Sequence, residues 1–285
     1  MNVADALSGG RVVLGDPLEA EVLLAHVLGK SREFFLAHPE SSIAQDLSAK
    51  YRSYCKKRAA GIPLAHLTHN KEFYGLSFYV DERVLIPRPE TEILVEETIA
   101  LAKNGATNIE REILICDVGT GSGCIAIALA KQLSHAEIIG VDISDGALEV
   151  AKINAEAHAV SGSISFEKSD LLEAVSGSPI IGIVANLPYI GRTENHMIDP
   201  EVANFEPHEA LFGGETGLEL LEKLFEQTAA ARACGKLLTL RWLAAEIGFR
   251  QRKSVSVLLK KYFPAAKAEW KKDLAGLDRV FVISF

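Results

Sequence analysis

The sequence contains few cysteines, and their spacing fits neither a zinc site nor a disulfide framework. Its four cysteines, Cys55, Cys116, Cys124 and Cys234, are scattered over 285 residues. Structural zinc sites and the disulfides of secreted domains both require paired or clustered cysteines. The scatter argues against both and favours a reduced, cytoplasmic setting. Cys116 and Cys124 lie in apolar patterns and are expected in the core.

Long apolar segments and a positive net charge are also absent. The N-terminus has no basic segment followed by an apolar one, so we expect no signal peptide. There is no run of about 18 apolar residues, so we expect no membrane span. The net charge is −8, which argues against a partner bound by neutralising phosphates. Direct nucleic-acid binding is therefore not expected, and no residue pattern predicts a metal site.

Residues 1–70 are predicted to form a small helical domain. After Asp16 and Pro17, a helix cap followed by a first-turn proline, apolar residues from Leu18 to Leu28 recur at helical spacing. A second helix is expected over 45–60. Because this region has no glycine-rich loop or group of convergent polar residues, we expect it to bind a partner and not to carry out catalysis.

Residues 71–90 are predicted to form a β-hairpin linker. Residues 73–80 have β-type composition, and Gly75 indicates the turn. Two prolines then flank Arg88 and fix the backbone around it, before a helix that begins near Thr91. On its own, this double-proline turn is equally consistent with a surface linker.

From about residue 109 onward, strand and helix patterns alternate. The predicted strands are 113–118, 137–141, 164–168, 180–185, 236–240 and 280–283, and the predicted helices are 124–133, 146–158, 217–234 and 253–262. Such alternation predicts a doubly wound α/β fold, in which helices cover both faces of an open, mostly parallel sheet. Ligands of this architecture bind beyond the carboxyl ends of the strands.

A glycine-rich loop joins the first of these strands to the first helix. The loop residues of interest are Asp117, Gly119, Thr120, Gly121, Ser122 and Gly123. The glycines allow a tight turn and the close approach of a ligand. Their spacing differs from that of dinucleotide-binding loops and P-loops, so a pyrophosphate cradle is not predicted. Asp117 would repel a phosphate but attract a cation such as the ammonium group of an amino acid.

Carboxylates follow the next two strands as well. Asp142, about twenty residues beyond the glycine loop, is placed to accept hydrogen bonds from both hydroxyls of a ribose. Asp170 offers an acceptor for an adenine amine, and Leu171 an apolar cover for the ring. Asp142 or Asp170 alone is equally consistent with a helix cap. Sites at three successive strand ends together predict a pocket for S-adenosylmethionine.

The strand at 180–185 is followed by Asn186, Leu187, Pro188 and Tyr189, four residues that we call the tetrad. The asparagine side chain offers an acceptor and a donor for a planar amide or base. Pro188 biases Leu187 toward an extended backbone, so that the Leu187 carbonyl can face a cleft. Tyr189 adds an aromatic face. On its own, the tetrad is more simply explained as a turn that closes a strand.

With these motifs the chain resembles the class I methyltransferases, and among them the HemK-like release factor glutamine methyltransferases. The resemblance rests on segments 16–26, 72–76, 85–92, 117–130, 186–189, 205–214 and 272–279. The proline-arginine turn and segment 205–214 are specific to that family. The chain departs from it where Leu187 replaces the usual first proline of the tetrad, within residues 65–70, and at 240–245, which resembles an insertion.

The resemblance implies an enzyme that methylates N5 of the glutamine in the Gly-Gly-Gln motif of bacterial peptide chain release factors. S-adenosylmethionine would be the donor and S-adenosylhomocysteine the product. The implied protein is a cytoplasmic monomer in which residues 1–70 bind the substrate protein and residues 91–285 form the methyltransferase domain. It needs neither a metal nor a membrane.

The resemblance also implies a role for each candidate site residue. The expected catalytic residues are Asn186, Leu187, Pro188 and Tyr189. The expected cofactor-binding residues are Asp117, Gly119, Thr120, Gly121, Ser122, Gly123, Asp142, Asp170, Leu171 and Asn186. The expected residues of the substrate entrance are Arg88, Pro89, Glu206 and Pro207. Asn186 Oδ1 and the Leu187 carbonyl would accept the amide hydrogens, and Tyr189 would stack on the amide plane.

Three alternatives stay open. A glutamine methyltransferase of a ribosomal protein is similar in chemistry. An N6-adenine methyltransferase of rRNA or DNA is another, since rRNA adenine dimethyltransferases also carry Asn-Leu-Pro-Tyr; the acidic charge and segment 205–214 argue against it. The third is a non-catalytic module that binds S-adenosylmethionine, which the presence of Asp117, Asp142 and Asn186 disfavours.

Overall fold

The computed structural model describes residues 1–105, 113–193 and 198–285, and the chain divides into two compact units. The first unit comprises Met1–Asn70 together with Asp199–Phe205, and the second comprises Lys71–Ile198 and Glu206–Phe285. The region expected to be helical over 1–70 thus makes up most of the first unit. The hairpin expected over 71–90 groups with the second.

The first unit is helical and has a hydrophobic core of its own. Its first helices are α1 (Val3–Leu14), α2 (Pro17–Leu28), α3 (Arg32–Ala37), α4 (Gln45–Ala59) and α5 (Leu64–Thr68). The predicted start of α2 is confirmed, because Asp16 Oδ1 accepts the backbone N–H of Leu18 at 2.7 Å and Pro17 opens the helix. Leu23 and Tyr51 are buried at the centre of the core between α2 and α4.

A tight hairpin opens the second unit. Its strands β1 (Lys71–Phe73) and β2 (Leu76–Phe78) pair in antiparallel fashion. The two turn residues, Tyr74 and Gly75, have φ angles of 52° and 70°. Left-handed φ at both central positions gives the turn that matches the twist of a hairpin. The predicted turn at Gly75 is therefore confirmed.

Further helices follow the hairpin along the chain. A 3₁₀ turn, Pro89–Thr91, precedes α6 (Glu92–Gly105), α7 (Cys124–Gln132), α8 (Asp145–Ala157), α9 (Pro200–Phe205), α10 (His208–Leu211), α11 (Glu219–Ala233) and α12 (Arg252–Tyr262). Helix α9 belongs to the first unit, and the others belong to the second. Within the described ranges, no helix is both long enough and apolar enough to span a bilayer.

The described part of the second unit also builds a seven-stranded sheet. Its strands are β3 (Ile113–Val118), β4 (Ala136–Asp142), β5 (Ile164–Lys168), β6 (Gly182–Ala185), β7 (Trp242–Glu246), β8 (Lys267–Lys272) and β9 (Asp278–Ser284). Their order is β5-β4-β3-β6-β7-β9-β8, and only the pairs that include β9 are antiparallel. The predicted doubly wound, mostly parallel fold is confirmed. The strand order reverses at β3, so the loops after β3, β4 and β6 meet at one edge of the sheet.

Two hydrophobic cores pack against the sheet, one on each face. Ile115 of β3 packs in the core that contains residues of α6 and α7, whereas its neighbour Cys116 packs in the core with residues of α11 and α12. Successive residues of a strand point to opposite faces, so a strand covered on both sides is apolar throughout. Cys116 and Cys124 are buried in these cores, as predicted.

The strand beside β6 lies later in the sequence than predicted. Residues 236–239 form turns, not the strand predicted over 236–240. Helix α11 ends at Ala233, and Gly235, with a φ of 77°, turns the chain directly after it. Leu238 in these turns is 82% exposed, so it has no core to pack against. The strand is Trp242–Glu246, which is buried throughout between β6 and β9. Four residues of the segment 240–245, which resembles an insertion, therefore belong to this strand.

Candidate active site

A cleft lies at the carboxyl ends of β3, β4 and β6, where the sheet order predicts a ligand. It encloses about 1090 Å³, its open mouth included. The cleft brings together the predicted site residues Arg88, Gly119, Thr120, Gly121, Ser122, Asp142, Asp170, Leu171, Asn186, Leu187, Pro188 and Pro207. The predicted site residues outside its lining are Pro89, Asp117, Gly123, Tyr189 and Glu206.

The glycine loop folds back over the end of β4. The backbone N–H groups of Gly119 and Thr120 donate to the Val141 carbonyl at 2.8 and 3.0 Å. Gly119 has a φ of 73°, and a Cβ atom at this position would lie 3.1 Å from Cδ2 of Leu187. The glycine therefore allows the loop and the tetrad to pack against each other. Gly123 caps α7 behind the loop instead of lining the cleft.

Asp117 lies beneath the glycine loop and is 0% exposed. Its Oδ2 accepts the hydroxyl of Thr120 at 2.7 Å and the backbone N–H of Ala126 at 3.2 Å. Burial raises the pKa of Asp117 to about 7. The structure thus gives this carboxyl group a role in holding the loop to the start of α7. The other oxygen, Oδ1, is buried and has no hydrogen-bond partner among the described residues, and the expected contact of Asp117 with a ligand ammonium group stays a prediction.

Asp142 lines the cleft from the end of β4. Its Oδ2 accepts the backbone N–H of Gly121 at 2.9 Å, and its Oδ1 accepts that of Ser144 at 2.9 Å. Burial raises its pKa. Each carboxylate oxygen has more than one lone pair, so both remain able to accept from a ligand hydroxyl. The bonds to the protein fix the carboxylate in place.

The loop after β5 forms another wall of the cleft. Asp170 lines it and pairs through Oδ2 with Lys223 Nζ at 2.5 Å, and Leu171 follows in a left-handed conformation with a φ of 56°. Ile143, which was not predicted as a site residue, lies in the cleft and is 57% exposed. An exposed isoleucine beside Asp142 is a suitable apolar surface for a planar ring.

The side chain of Asn186 lies in the cleft in one orientation. Its Nδ2 donates a hydrogen bond of 3.0 Å to Oγ1 of Thr91, which also lines the cleft. Among the described residues, none donates to Asn186 Oδ1 or to the Leu187 carbonyl. The tetrad thus has two oxygens to which no described residue donates, and their role as acceptors for a substrate amide stays a prediction.

A buried glutamate, not predicted as a site residue, lies behind the tetrad. Glu246 is 4% exposed, and its Oε2 accepts the hydroxyl of Thr91 at 2.7 Å. Burial raises the pKa of Glu246 to about 7, and burial and the nearby Glu246 raise the pKa of Tyr189. Tyr189 therefore lies near Glu246 and outside the cleft lining. The expectation that Tyr189 stacks on the substrate amide stays a prediction.

The position of Glu246 follows from the strand register. Ala185 pairs with Ala245 in the parallel β6–β7 ladder, so Asn186 and Glu246 are the next residues of two adjacent strands. A single acidic residue at the end of an apolar strand is the sequence feature that points to Glu246. This feature identifies Glu246 only when the strand is placed at 242–246, whereas the sequence pattern predicted it at 236–240.

Arg88 lines the cleft and is held by a buried carboxylate. Its guanidinium donates to Oε1 of Glu206, and Oε2 of Glu206 accepts the backbone N–H of Ile86 at 3.0 Å. Glu206 is 4% exposed and therefore fixes Arg88 without itself lining the cleft. Pro207, the residue after Glu206, does line it.

Two family models match separate parts of the chain. The PrmC N-terminal domain matches residues 10–68, and a methyltransferase domain matches residues 109–178. Among solved structures, the catalytic domain of human METTL16 in complex with a MAT2A 3′UTR hairpin superposes with a TM-score of 0.58 at 18% identity, covering 92% of each chain. The N-terminal domain of human METTL16 in complex with SAH gives a TM-score of 0.55 at 17% identity, covering 92% of this chain and 94% of that one.

At such low identity these structures establish the fold alone. With the matched domain, the sheet order and the cleft, they define the protein as a class I methyltransferase. The chain is 37% identical to the release factor glutamine methyltransferase of Koribacter versatilis, over 93% of this chain and 90% of the relative. It is 42% identical to that of Chlorobaculum tepidum, over 73% of this chain and 71% of the relative. The chain belongs to the release factor glutamine methyltransferase family.

Proposed function

We propose that the protein transfers a methyl group from S-adenosylmethionine to N5 of the glutamine in the Gly-Gly-Gln motif of bacterial release factors. The observation that carries this proposal is the orientation of Asn186, whose Nδ2 is bonded to Thr91 while its side chain lines the cleft. This leaves Oδ1 to accept an N–H from a carboxamide. Relatives named release factor glutamine methyltransferase support the substrate class.

The residues of the cleft fit S-adenosylmethionine. The glycine loop leaves room for close approach at Gly119 and Gly121, and Asp142 offers two fixed carboxylate oxygens to ribose hydroxyls. Asp170 and Ile143 lie where an adenine amine and ring would need an acceptor and an apolar surface. When bound, this cofactor supplies a methyl group activated by a sulfonium centre.

The tetrad compensates for the weak nucleophilicity of an amide nitrogen, whose lone pair is delocalised into its carbonyl. If Asn186 Oδ1 and the Leu187 carbonyl each accept one N–H hydrogen, the nitrogen lone pair is held toward the methyl donor. The same oxygens stabilise the positive charge that develops on nitrogen. Positioning of the two reactants supplies much of the acceleration. The nitrogen loses a proton after the new bond has formed, so no strong base is required first.

The first unit is the part we assign to holding the release factor. It has a separate hydrophobic core, and its sequence matches a family model of its own. The cleft residues all belong to the second unit, which leaves the first without a part in the chemistry. We place the reaction in the bacterial cytoplasm, where release factors act.

The test is a transfer assay with methyl-labelled S-adenosylmethionine. The protein is incubated separately with a release factor, with the same factor carrying Gln→Ala in its Gly-Gly-Gln motif, with ribosomal proteins and with total RNA. We expect label only in the intact release factor. Label that persists after the Gln→Ala change, or that enters RNA or a ribosomal protein instead, overturns the proposal.

A further inference from the structure

We propose that Glu246 is a positioning residue that sets the hydrogen-bonding orientation of Asn186 through Thr91, an inference that rests on the proposed function. The three side chains form a continuous chain of hydrogen bonds. Asn186 Nδ2 lies 3.0 Å from Thr91 Oγ1, which lies 2.7 Å from Glu246 Oε2. Thr91 and Glu246 are 2% and 4% exposed, so the series is shielded from solvent behind the cleft.

The direction of each hydrogen bond follows from the chemistry of the groups. Above its raised pKa of about 7, Glu246 is an ionised carboxylate, which accepts and never donates, so the Thr91 hydroxyl directs its single proton to Glu246. Both experiments described below are therefore run at pH 8. The lone pairs of Thr91 Oγ1 then face Asn186, where only an N–H satisfies them. Asn186 therefore turns its NH₂ group to Thr91 and its Oδ1 to the cleft.

This orientation decides what the cleft can bind. A side-chain amide has almost the same shape after a 180° rotation about its last torsion, but its donor and acceptor exchange places. A rotated Asn186 would present its NH₂ group to the N–H hydrogens of the substrate amide. Two donors would then oppose each other, and the nitrogen lone pair would no longer be aimed at the methyl donor.

Tyr189, at the other end of the tetrad, lies close to Glu246. Gln251 Nε2 donates to the Tyr189 carbonyl at 2.8 Å and fixes the backbone there. Glutamine in place of Glu246 would keep one acceptor and add a donor, which changes the pattern that Thr91 meets.

The first experiment compares substitutions that change the donor pattern at nearly constant shape. Glu246→Gln lets an amide N–H donate to Thr91, so that the Thr91 proton turns toward Asn186 and favours the rotated amide. Thr91→Val removes the hydroxyl, and Thr91→Ser retains it. Thr98→Val is the matched control, because the buried Thr98 hydroxyl donates to the Leu94 carbonyl within α6 and lies outside the cleft lining.

We expect kcat to fall about 30-fold or more in Glu246→Gln and Thr91→Val, as for a lost hydrogen bond that orients a reacting group. The Kd for S-adenosylmethionine should change by less than about threefold. Thr91→Ser should recover the kcat lost in Thr91→Val. Thr98→Val should have the same kcat as the parent protein. The double variant Thr91→Val/Glu246→Gln should lower kcat no more than either single substitution does, because both substitutions interrupt the same chain of hydrogen bonds. Unchanged kcat in Glu246→Gln, or equal losses in Thr91→Val and Thr98→Val, overturns the inference.

The second experiment needs no activity. Solvent exchange of the Asn186 side-chain NH₂ protons is measured by NMR, with the resonances assigned by their loss in Asn186→Asp. We expect slow exchange in the parent protein and fast exchange in Glu246→Gln, where the NH₂ group faces the cleft. Equal exchange in the two proteins overturns the inference. If exchange differs as expected while the parent protein fails to methylate a release factor, the proposed function falls and the orientation of Asn186 by Glu246 stands.

Discussion

Asn154 holds the end of the glycine loop through Ser122. Its Nδ2 donates to the Ser122 carbonyl at 2.9 Å and to the Tyr79 carbonyl at 3.0 Å, while its Oδ1 accepts the backbone N–H of Tyr79 at 2.7 Å. Asn154 is 1% exposed. One buried side chain on α8 thus joins the loop that lines the cleft to the segment that leaves the hairpin.

Replacing Asn154 by alanine should therefore weaken both stability and cofactor binding. Three hydrogen bonds would be lost and buried backbone groups left unsatisfied, at a cost on the order of 2 kcal/mol or more in the free energy of unfolding. We expect S-adenosylmethionine to bind about tenfold more weakly, because the loop loses its support. Urea unfolding and calorimetric titration measure the two effects. A stability loss with unchanged affinity would show that the loop keeps its shape without Asn154.

Asp142→Ala should weaken S-adenosylmethionine binding by about 30-fold or more. The substitution removes a charged acceptor for two ribose hydroxyls, each bond contributing roughly 1.5–3 kcal/mol. Asp145→Ala is the matched control, since Asp145 lies three residues on, pairs with Lys168 on the surface and is outside the cleft lining. Comparable losses of affinity in the two variants would contradict the assignment of Asp142.

Asn186→Ala should abolish methyl transfer while leaving cofactor affinity nearly unchanged. The alanine removes an acceptor that acts on the substrate amide, and a group of this kind contributes about 100-fold or more to the rate. Single-turnover transfer and calorimetric titration separate the two quantities. A parallel loss of transfer and affinity would mean that Asn186 mainly builds the cofactor pocket.

Arg88→Ala should raise the KM for the release factor about tenfold without changing the Kd for S-adenosylmethionine, since we expect Arg88 to shape the substrate entrance. It should also lower the free energy of unfolding by about 1–3 kcal/mol, because Glu206 is left buried with its charge unpaired. Adding Glu206→Gln should restore part of the stability but not the KM. Recovery of both would show that Arg88 acts only through folding.

The buried acids should make stability fall as the pH rises toward neutrality. Burial raises the pKa of Glu246 from 4.5 and that of Asp117 from 3.8, each to about 7. Between about pH 4 and 7 the folded chain keeps protons that the unfolded chain has released, so raising the pH favours unfolding. At about 1.4 kcal/mol per pKa unit, each residue contributes on the order of 3 kcal/mol across this window.

Denaturant unfolding from pH 4.5 to 8 measures this effect. The difference in the free energy of unfolding between the parent protein and Glu246→Gln should change with pH below about 7 and level off above it. The groups that face Glu246 are Thr91, Tyr189, Arg279 and Glu90. A difference that stays constant over the whole range would mean that Glu246 titrates near its ordinary pKa.

Most of the sheet and the cleft could be predicted because their signals are local. The strands β3, β4 and β6 are mostly apolar runs that lead to Gly119, Asp142 and Asn186, and the sheet order places those ends together. Ten of the twelve predicted site residues that line the cleft lie at or just after the ends of β3 to β6, and only Arg88 and Pro207 do not. The hairpin turn at Gly75 and the cap at Asp16 likewise depend on a few adjacent residues.

What could not be predicted depends on contacts between distant segments. Leu237 and Leu238 have the composition of a strand, but they follow the end of α11 at Ala233 by only a few residues and form turns. Asp117 follows its strand as a ligand-binding carboxylate would, but the bonds of its Oδ2 to Thr120 and Ala126, which hold the loop to α7, were not predicted. Tyr189 was expected to face a substrate, but it lies outside the cleft lining and near Glu246, more than fifty residues later in the sequence.

In the sheet built by the described residues, the outermost strand β8 has no neighbouring strand on one side of its backbone. Its residues Lys267, Glu269, Lys271 and Lys272 are charged. A strand from another molecule that paired there would have to strip water from these groups, which is unfavourable. Copies of the protein should therefore resist growing into extended β-structure, even when they are crowded.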